Sequence, residues 1–169
     1  MGRSGKFLAS DYDHVKPDLL LLGKAITGGV TALSVVLGSS EIISLLKPGM
    51  HGSTYGGNPL TCAVAIEAIK IIDEENLADN AMVQGEFFRN EITQIQNPKI
   101  KLVRGRGLLN AVAFDESIDT MQVCHNLFEK KLLAKPTRNN AMRFSPPLTI
   151  TNEQMKGAIK IIKAVLSQL

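Results

Sequence analysis

Tryptophan is absent from the 169 residues, cysteine occurs twice, and only 5% of positions are aromatic. Cys62 and Cys124 stand far apart with no Cys-x-x-Cys pair, which excludes a disulfide framework and a structural zinc site and predicts a reducing compartment. Excess charge is also scarce. Nineteen basic against sixteen acidic side chains leave a formal net charge of +3, too little and too scattered to make nucleic acid the main partner. No apolar run approaches the roughly 18 residues of a membrane helix, and no charged-then-apolar signal peptide opens the chain. With 44% hydrophobic and 21% charged residues, the composition is that of a soluble folded protein.

Lys16-Pro17-Asp18 punctuates a polar opening stretch and leads into four consecutive leucines, Leu19–Leu22, which suit a strand buried on both faces and ended by Gly23. A second strand is expected over residues 32–37, with β-branched Val35 and Val36. It stops at Gly38-Ser39-Ser40, where a serine can cap a short helix reaching Leu46. After a loop rich in glycine and hydroxyl groups at residues 51–58, Asn58 has the character of an N-cap and Pro59 that of a first helical residue. Leu60, Val64, Ala68 and Ile71, widened by Ala63, predict the buried stripe of a long helix that exposes Glu67 and Lys70. A break near Glu75-Asn76 and a second helix from Leu77 to about Ile95 lead to Asn97-Pro98, the expected boundary between domains at 1–97 and 98–169.

Beyond Pro98 the pattern predicts a strand pair at 100–103 and 108–114, a helix over 118–131, short strands at 133–134 and 142–144, and a last helix. Thr151 and Gln154 have capping-box spacing, and Met155, Ile159, Ile162 and Val165 form one helical stripe. The order β, β, α, β, β, α is that of a small α+β unit packed on something larger. The first segment has strands of central character but too few helices to cover both faces of a sheet, so the chain reads as part of a larger α/β fold and Met1 as the start of a partial product.

Three stretches could carry chemistry. Lys24 follows a strand and a glycine and precedes Gly28-Gly29, at the kind of strand end where α/β sheets build sites. A partly desolvated lysine amine can attack a carbonyl to form a Schiff base, although a lysine that only snorkels into solvent fits the same pattern. The run His51-Gly52-Ser53-Thr54-Tyr55-Gly56-Gly57-Asn58-Pro59 sets two hydroxyls and several glycine amides ahead of a helix N-terminus, which suits a phosphate. A glycine turn stabilised by Ser53 or Thr54 is the plainer alternative. Arg143 lies in a short apolar segment fixed by Pro146-Pro147; buried beside a cavity, its fork would hold a carboxylate, and an internal salt bridge is the other use for it. Arg104-Gly105-Arg106-Gly107 lacks the strand-loop-helix context of a phosphate loop and reads as a strand bend.

In this order and spacing, the three stretches resemble the class III pyridoxal-phosphate-dependent aminotransferases nearly end to end. Arg3-Ser4-Gly5-Lys6, Val15-Lys16-Pro17-Asp18 and Leu22-Gly23-Lys24-Ala25 up to Gly28-Gly29 look like the second half of that family's signature, with Lys24 on the Schiff-base lysine. Residues 51–60 are similar to its phosphate loop. Val103-Arg104-Gly105-Arg106-Gly107-Leu108-Leu109, Leu132-Leu133-Ala134-Lys135-Pro136-Thr137 and residues 143–148 look like the branch that acts on ornithine. Thr31-Ala32 departs from the aromatic-proline pair usual after the double glycine.

The resemblance implies the C-terminal part of a fold-type I transferase, comprising part of the large-domain sheet and the small α+β domain. It also implies pyridoxal 5'-phosphate as cofactor and ornithine and 2-oxoglutarate as substrates. Lys24 would be the catalytic residue, Thr54 would bind cofactor phosphate across a homodimer interface, Ser53 would approach the substrate, and Arg143 would receive a carboxylate of glutamate or 2-oxoglutarate. The implied compartment is the cytosol or the mitochondrial matrix. Branches acting on acetylornithine or 4-aminobutyrate share Lys24 and Thr54. An inactive fragment serving as an interaction module fits the same residues.

Overall fold

Two antiparallel strands open the structure, a computed structural model that describes residues 1–138 and 140–169. β1 (Leu19–Leu22) pairs with β2 (Val35–Gly38), Leu19 opposite Gly38 and Leu22 opposite Val35. β2 begins later than its sequence suggests. The leucines are not buried on both faces: a two-stranded ribbon shields little of its own surface, and Leu21 is 72% exposed. Ser39 caps the short helix α1 (Ser40–Ile43), accepting a bond from the Ile42 amide at 3.4 Å. Asn58 caps α2 (Pro59–Glu74), its Oδ1 accepting from the Thr61 amide at 2.9 Å.

The shielded face of α2 is not the stripe its spacing suggests. Leu60 is 70% exposed, whereas Thr61 and Ala65 are buried. The helix packs against a 3₁₀ turn at Lys24–Thr27, and small side chains allow helix and turn to approach closely. Asn76, at a φ of 51°, follows the C-cap residue Glu75.

By packing, the chain forms two compact units, one of Met1 and Leu8–Asn76, the other of Gly2–Phe7 and Leu77–Leu169. The second contains α3 (Leu77–Thr93), β3 (Ile100–Arg106), β4 (Leu109–Phe114), α4 (Thr120–Glu129), β5 (Lys135–Thr137), β6 (Ala141–Phe144) and α5 (Asn152–Leu166). Asn97-Pro98 lies inside this unit, between α3 and β3. Phe88 and Ile92 of α3 share one core with Val112, Phe114, Met142 and Phe144 of the sheet.

The sheet is antiparallel throughout, in the order β3-β4-β6-β5. Asn110, Val112 and Phe114 are buried on alternate positions of β4, the period of a half-buried strand. Asp119 caps α4, accepting from Met121 at 2.8 Å. Thr151 and Gln154 form the expected capping box of α5, and Met155, Ile159, Ile162 and Val165 are its buried stripe. β5 lies C-terminal to its expected place, and Leu133, read as a strand residue, is 83% exposed.

Arg104-Gly105-Arg106-Gly107 closes β3 and turns into β4. Gly107 has a φ of 51°, and a β-carbon there would stand 2.4 Å from the Ser4 carbonyl carbon, so only glycine fits. The Gly2–Phe7 segment is seated on this turn. The Leu108 amide donates to the Arg3 carbonyl at 2.9 Å, and the Arg3 guanidinium donates to the carbonyls of Leu108 and Pro146.

Candidate functional site

Lys24 stands at the end of β1, the first residue of the turn that α2 covers. Its φ of 56° puts an L-residue in the left-handed region, at a cost of about 1–2 kcal/mol. Burial holds it there: Ile26 and Thr27 are shielded from solvent. The Thr27 hydroxyl donates to the Thr31 carbonyl and accepts from the Thr31 amide, which tethers the chain just past Gly28-Gly29. The Lys24 side chain is exposed, and among the described residues its amine has no hydrogen-bond or ion-pair partner. The strained Lys24 backbone is thus fixed by its surroundings.

Ser53 and Thr54 lie in the exposed loop that leads into α2. The loop is held by short-range bonds. The Gly56 amide donates to the Ser53 carbonyl at 3.3 Å, and the Asn58 side chain donates to the Tyr55 carbonyl at 2.8 Å. Among the described residues neither hydroxyl has a hydrogen-bond partner. The loop and the Lys24 turn belong to the same unit, and α2, which follows the loop, packs on the turn.

Arg143 belongs to the second unit, and its placement corrects the sequence reading. It is exposed, because strand alternation sends Met142 and Phe144 into the core and turns Arg143 to the outer face of the sheet. The salt bridge offered as its alternative use does not form: among the described residues no carboxylate pairs with it. Arg143 lines a groove of about 560 Å³ on that face, together with Ser4, Arg104, Arg106 and Thr137. Sequence reasoning missed these neighbours, since they come from β3, from β5 and from the Gly2–Phe7 segment, and only the register brings them together.

The profile of the aminotransferase class-III family matches residues 1–166. The chain belongs to the class III aminotransferases. It is 48% identical to the mitochondrial ornithine aminotransferase of Drosophila melanogaster over 168 residues, covering 99% of this chain and 39% of that protein. It is also 48% identical to the ornithine aminotransferase of Emericella nidulans, covering 100% of this chain and 38% of that one. The chain thus spans about two fifths of the length of these curated relatives.

Among solved structures, an acetylornithine aminotransferase from Elizabethkingia anophelis superposes with a TM-score of 0.94 at 43% identity, over 99% of this chain and 43% of that one. An ornithine aminotransferase from Toxoplasma gondii, crystallised in the presence of oxidised glutathione and with PLP at partial occupancy in its active site, gives 0.93 at 47% identity, over 99% and 40%. The mixed α/β fold is therefore the C-terminal portion of the class III fold, as the sequence resemblance implied.

Proposed function

We propose that this chain carries the Schiff-base lysine and the substrate-carboxylate arginine of an ornithine aminotransferase, which passes an amino group from ornithine to 2-oxoglutarate and yields glutamate 5-semialdehyde and glutamate. The observation that carries this reading is Lys24: strained, without a hydrogen-bond or ion-pair partner among the described residues, and at a strand end, in a chain 48% identical to ornithine aminotransferases. The residues fit pyridoxal 5'-phosphate. The free Lys24 amine suits an aldehyde, and the uncommitted hydroxyls of Ser53 and Thr54 ahead of α2 suit a phosphate and a polar substrate.

When bound, the cofactor supplies the electron sink for carbanion chemistry. Lys24 Nζ would hold the cofactor through its aldehyde. The Lys24 amine would be the group that moves the proton of the substrate carbon. Thr54 Oγ1 would hold the phosphate across the interface of a homodimer, and Ser53 Oγ would approach the substrate. The Arg143 fork holds a carboxylate of glutamate or 2-oxoglutarate. Two half-reactions at one lysine give ping-pong kinetics. The compartment is the cytosol or the mitochondrial matrix, and the Drosophila relative is named as mitochondrial.

The test is borohydride reduction of the chain with pyridoxal phosphate, followed by peptide mapping. An adduct confined to Lys24 supports the assignment; adducts scattered over surface lysines, or none, would sink it for the chain as isolated and favour an inactive structural module. A second reading, an enzyme acting on acetylornithine, is favoured by the Elizabethkingia likeness. Amino-donor competition between ornithine and acetylornithine in the active holoenzyme separates the two.

A further inference from the structure

The register sets Arg104, Ala111, Arg143 and Lys135 in one row across β3, β4, β6 and β5. Directly opposed residues in an antiparallel sheet project to the same face. Three cations therefore share the outer face, opposite the core packed by Met142 and Phe144. Among the described residues, none of the three side chains has an ion-pair or hydrogen-bond partner. Like charges directly opposed, as Arg143 and Lys135 are, repel, and an anion seated between the side chains relieves that repulsion.

Arg104 and Arg143 stand two strand spacings apart, about 10 Å at the backbone, which two arginine arms can close over the short side chain of Ala111. Both line the groove of about 560 Å³, as does Ala111, and among the described residues no aspartate or glutamate lines it. A carboxylate has lone pairs enough for two guanidinium forks.

We infer that Arg104 is a second carboxylate-binding residue, which grips together with Arg143 the substrate carboxylate lying over Ala111. The inference rests on the proposed role of Arg143 and extends it. It gives Arg104 a binding duty and Ala111 the duty of staying small. Lys135, next to Arg143 in the row, adds positive potential without a fork of its own.

Glutarate is the probe for the test, because it offers carboxylates but neither an amine nor a carbonyl to the lysine chemistry. The isolated chain is titrated at low salt and followed by nuclear magnetic resonance of its arginine side chains. Arg104→Gln and Arg143→Gln should each weaken glutarate about tenfold or more, the loss of a charged hydrogen-bonded contact. Arg104→Lys should recover only part of the loss, since the charge returns without the fork. Ala111→Leu should weaken binding with every charge in place, and its site on the exposed face leaves the core untouched. Glutarate affinity within about twofold of wild type in Arg104→Gln, the usual scatter between independent sites, overturns the inference while leaving Arg143 assigned. Absence of glutarate binding to the wild-type chain overturns it as well. The aminotransferase reading is judged separately, by the Lys24 adduct.

Discussion

Gly85 of α3 and Gly107 of the β3–β4 turn meet backbone to backbone: a β-carbon on Gly85 would lie 1.7 Å from the Gly107 carbonyl oxygen. That oxygen also accepts from Arg89 Nη1 at 3.2 Å and from the Asn110 side chain at 3.1 Å. Helix and turn cannot separate without breaking the Arg89 bond. Gly85→Ala should therefore destabilise the second unit by about 3 kcal/mol or more, the upper range for overpacking a tight contact. Urea denaturation monitored by circular dichroism checks this, and an unchanged midpoint would contradict the close approach.

The backbone at Lys24 predicts a conflict between stability and chemistry. Lys24→Gly removes the left-handed penalty and should raise stability by about 1 kcal/mol, while abolishing the borohydride-trapped adduct. Lys24→Ala should lose the adduct with no gain in stability, because alanine carries the same penalty. Thermal melts and peptide mapping of both variants read out the two effects, and equal melting temperatures for Gly and Ala would show that the strain is not expressed.

Arg143→Lys keeps a positive charge and loses the planar fork. In the active holoenzyme the 2-oxoglutarate half-reaction should lose more than the ornithine half-reaction, with a rise in KM of about tenfold, the value of one charged hydrogen bond. Stopped-flow measurement of each half-reaction makes the comparison. Equal losses would remove Arg143 from carboxylate recognition.

Asp115 supplies a pH signature. Its carboxyl is held down to about 2 from 3.8, first by the Ser117 backbone amide, then by the Ser117 side chain and Lys101; the amide bond is 3.1 Å and the lysine contact 3.1 Å. A depressed folded pKa contributes stability that is present above the unfolded value and is lost as pH falls through the folded one. The stability advantage of wild type over Asp115→Asn should be full at neutral pH and should shrink between about pH 4 and pH 2. Carboxyl carbon chemical shifts followed through that range locate the titration, and a midpoint at an ordinary aspartate value would refute it.

Features set by neighbours in sequence were legible before the structure. Asn58 before Pro59 and Thr151 three residues before Gln154 each start a helix through bonds that span one turn, so spacing alone reveals them. Lys24 was legible as a strand-end amine, but its left-handed backbone was not, because lysine has no preference that announces it. The face of α2 was misread since its apolar positions allow more than one stripe, and packing on the Lys24 turn selected Thr61 and Ala65 over the larger Leu60. The apolar neighbours of Arg143 do not announce its exposure; alternation in a strand with a single packed face sends it outward. The row it forms with Arg104 and Lys135 comes from strands on either side of α4, and no local pattern encodes that register.

The seat of residues 2–7 bears on the order in which the chain matures. Arg3 bonds Leu108, 105 positions away, and Pro146, 143 positions away, whereas most of the second unit is built from Leu77–Leu169. During synthesis these six residues emerge long before the turn that receives them, and closing so long a loop is slow. The Leu108 amide and the Pro146 carbonyl gain these partners only once that loop has closed. Ser4 belongs to this segment and lines the groove of Arg143, so the wall of that groove is complete only with residues 2–7 in their seat.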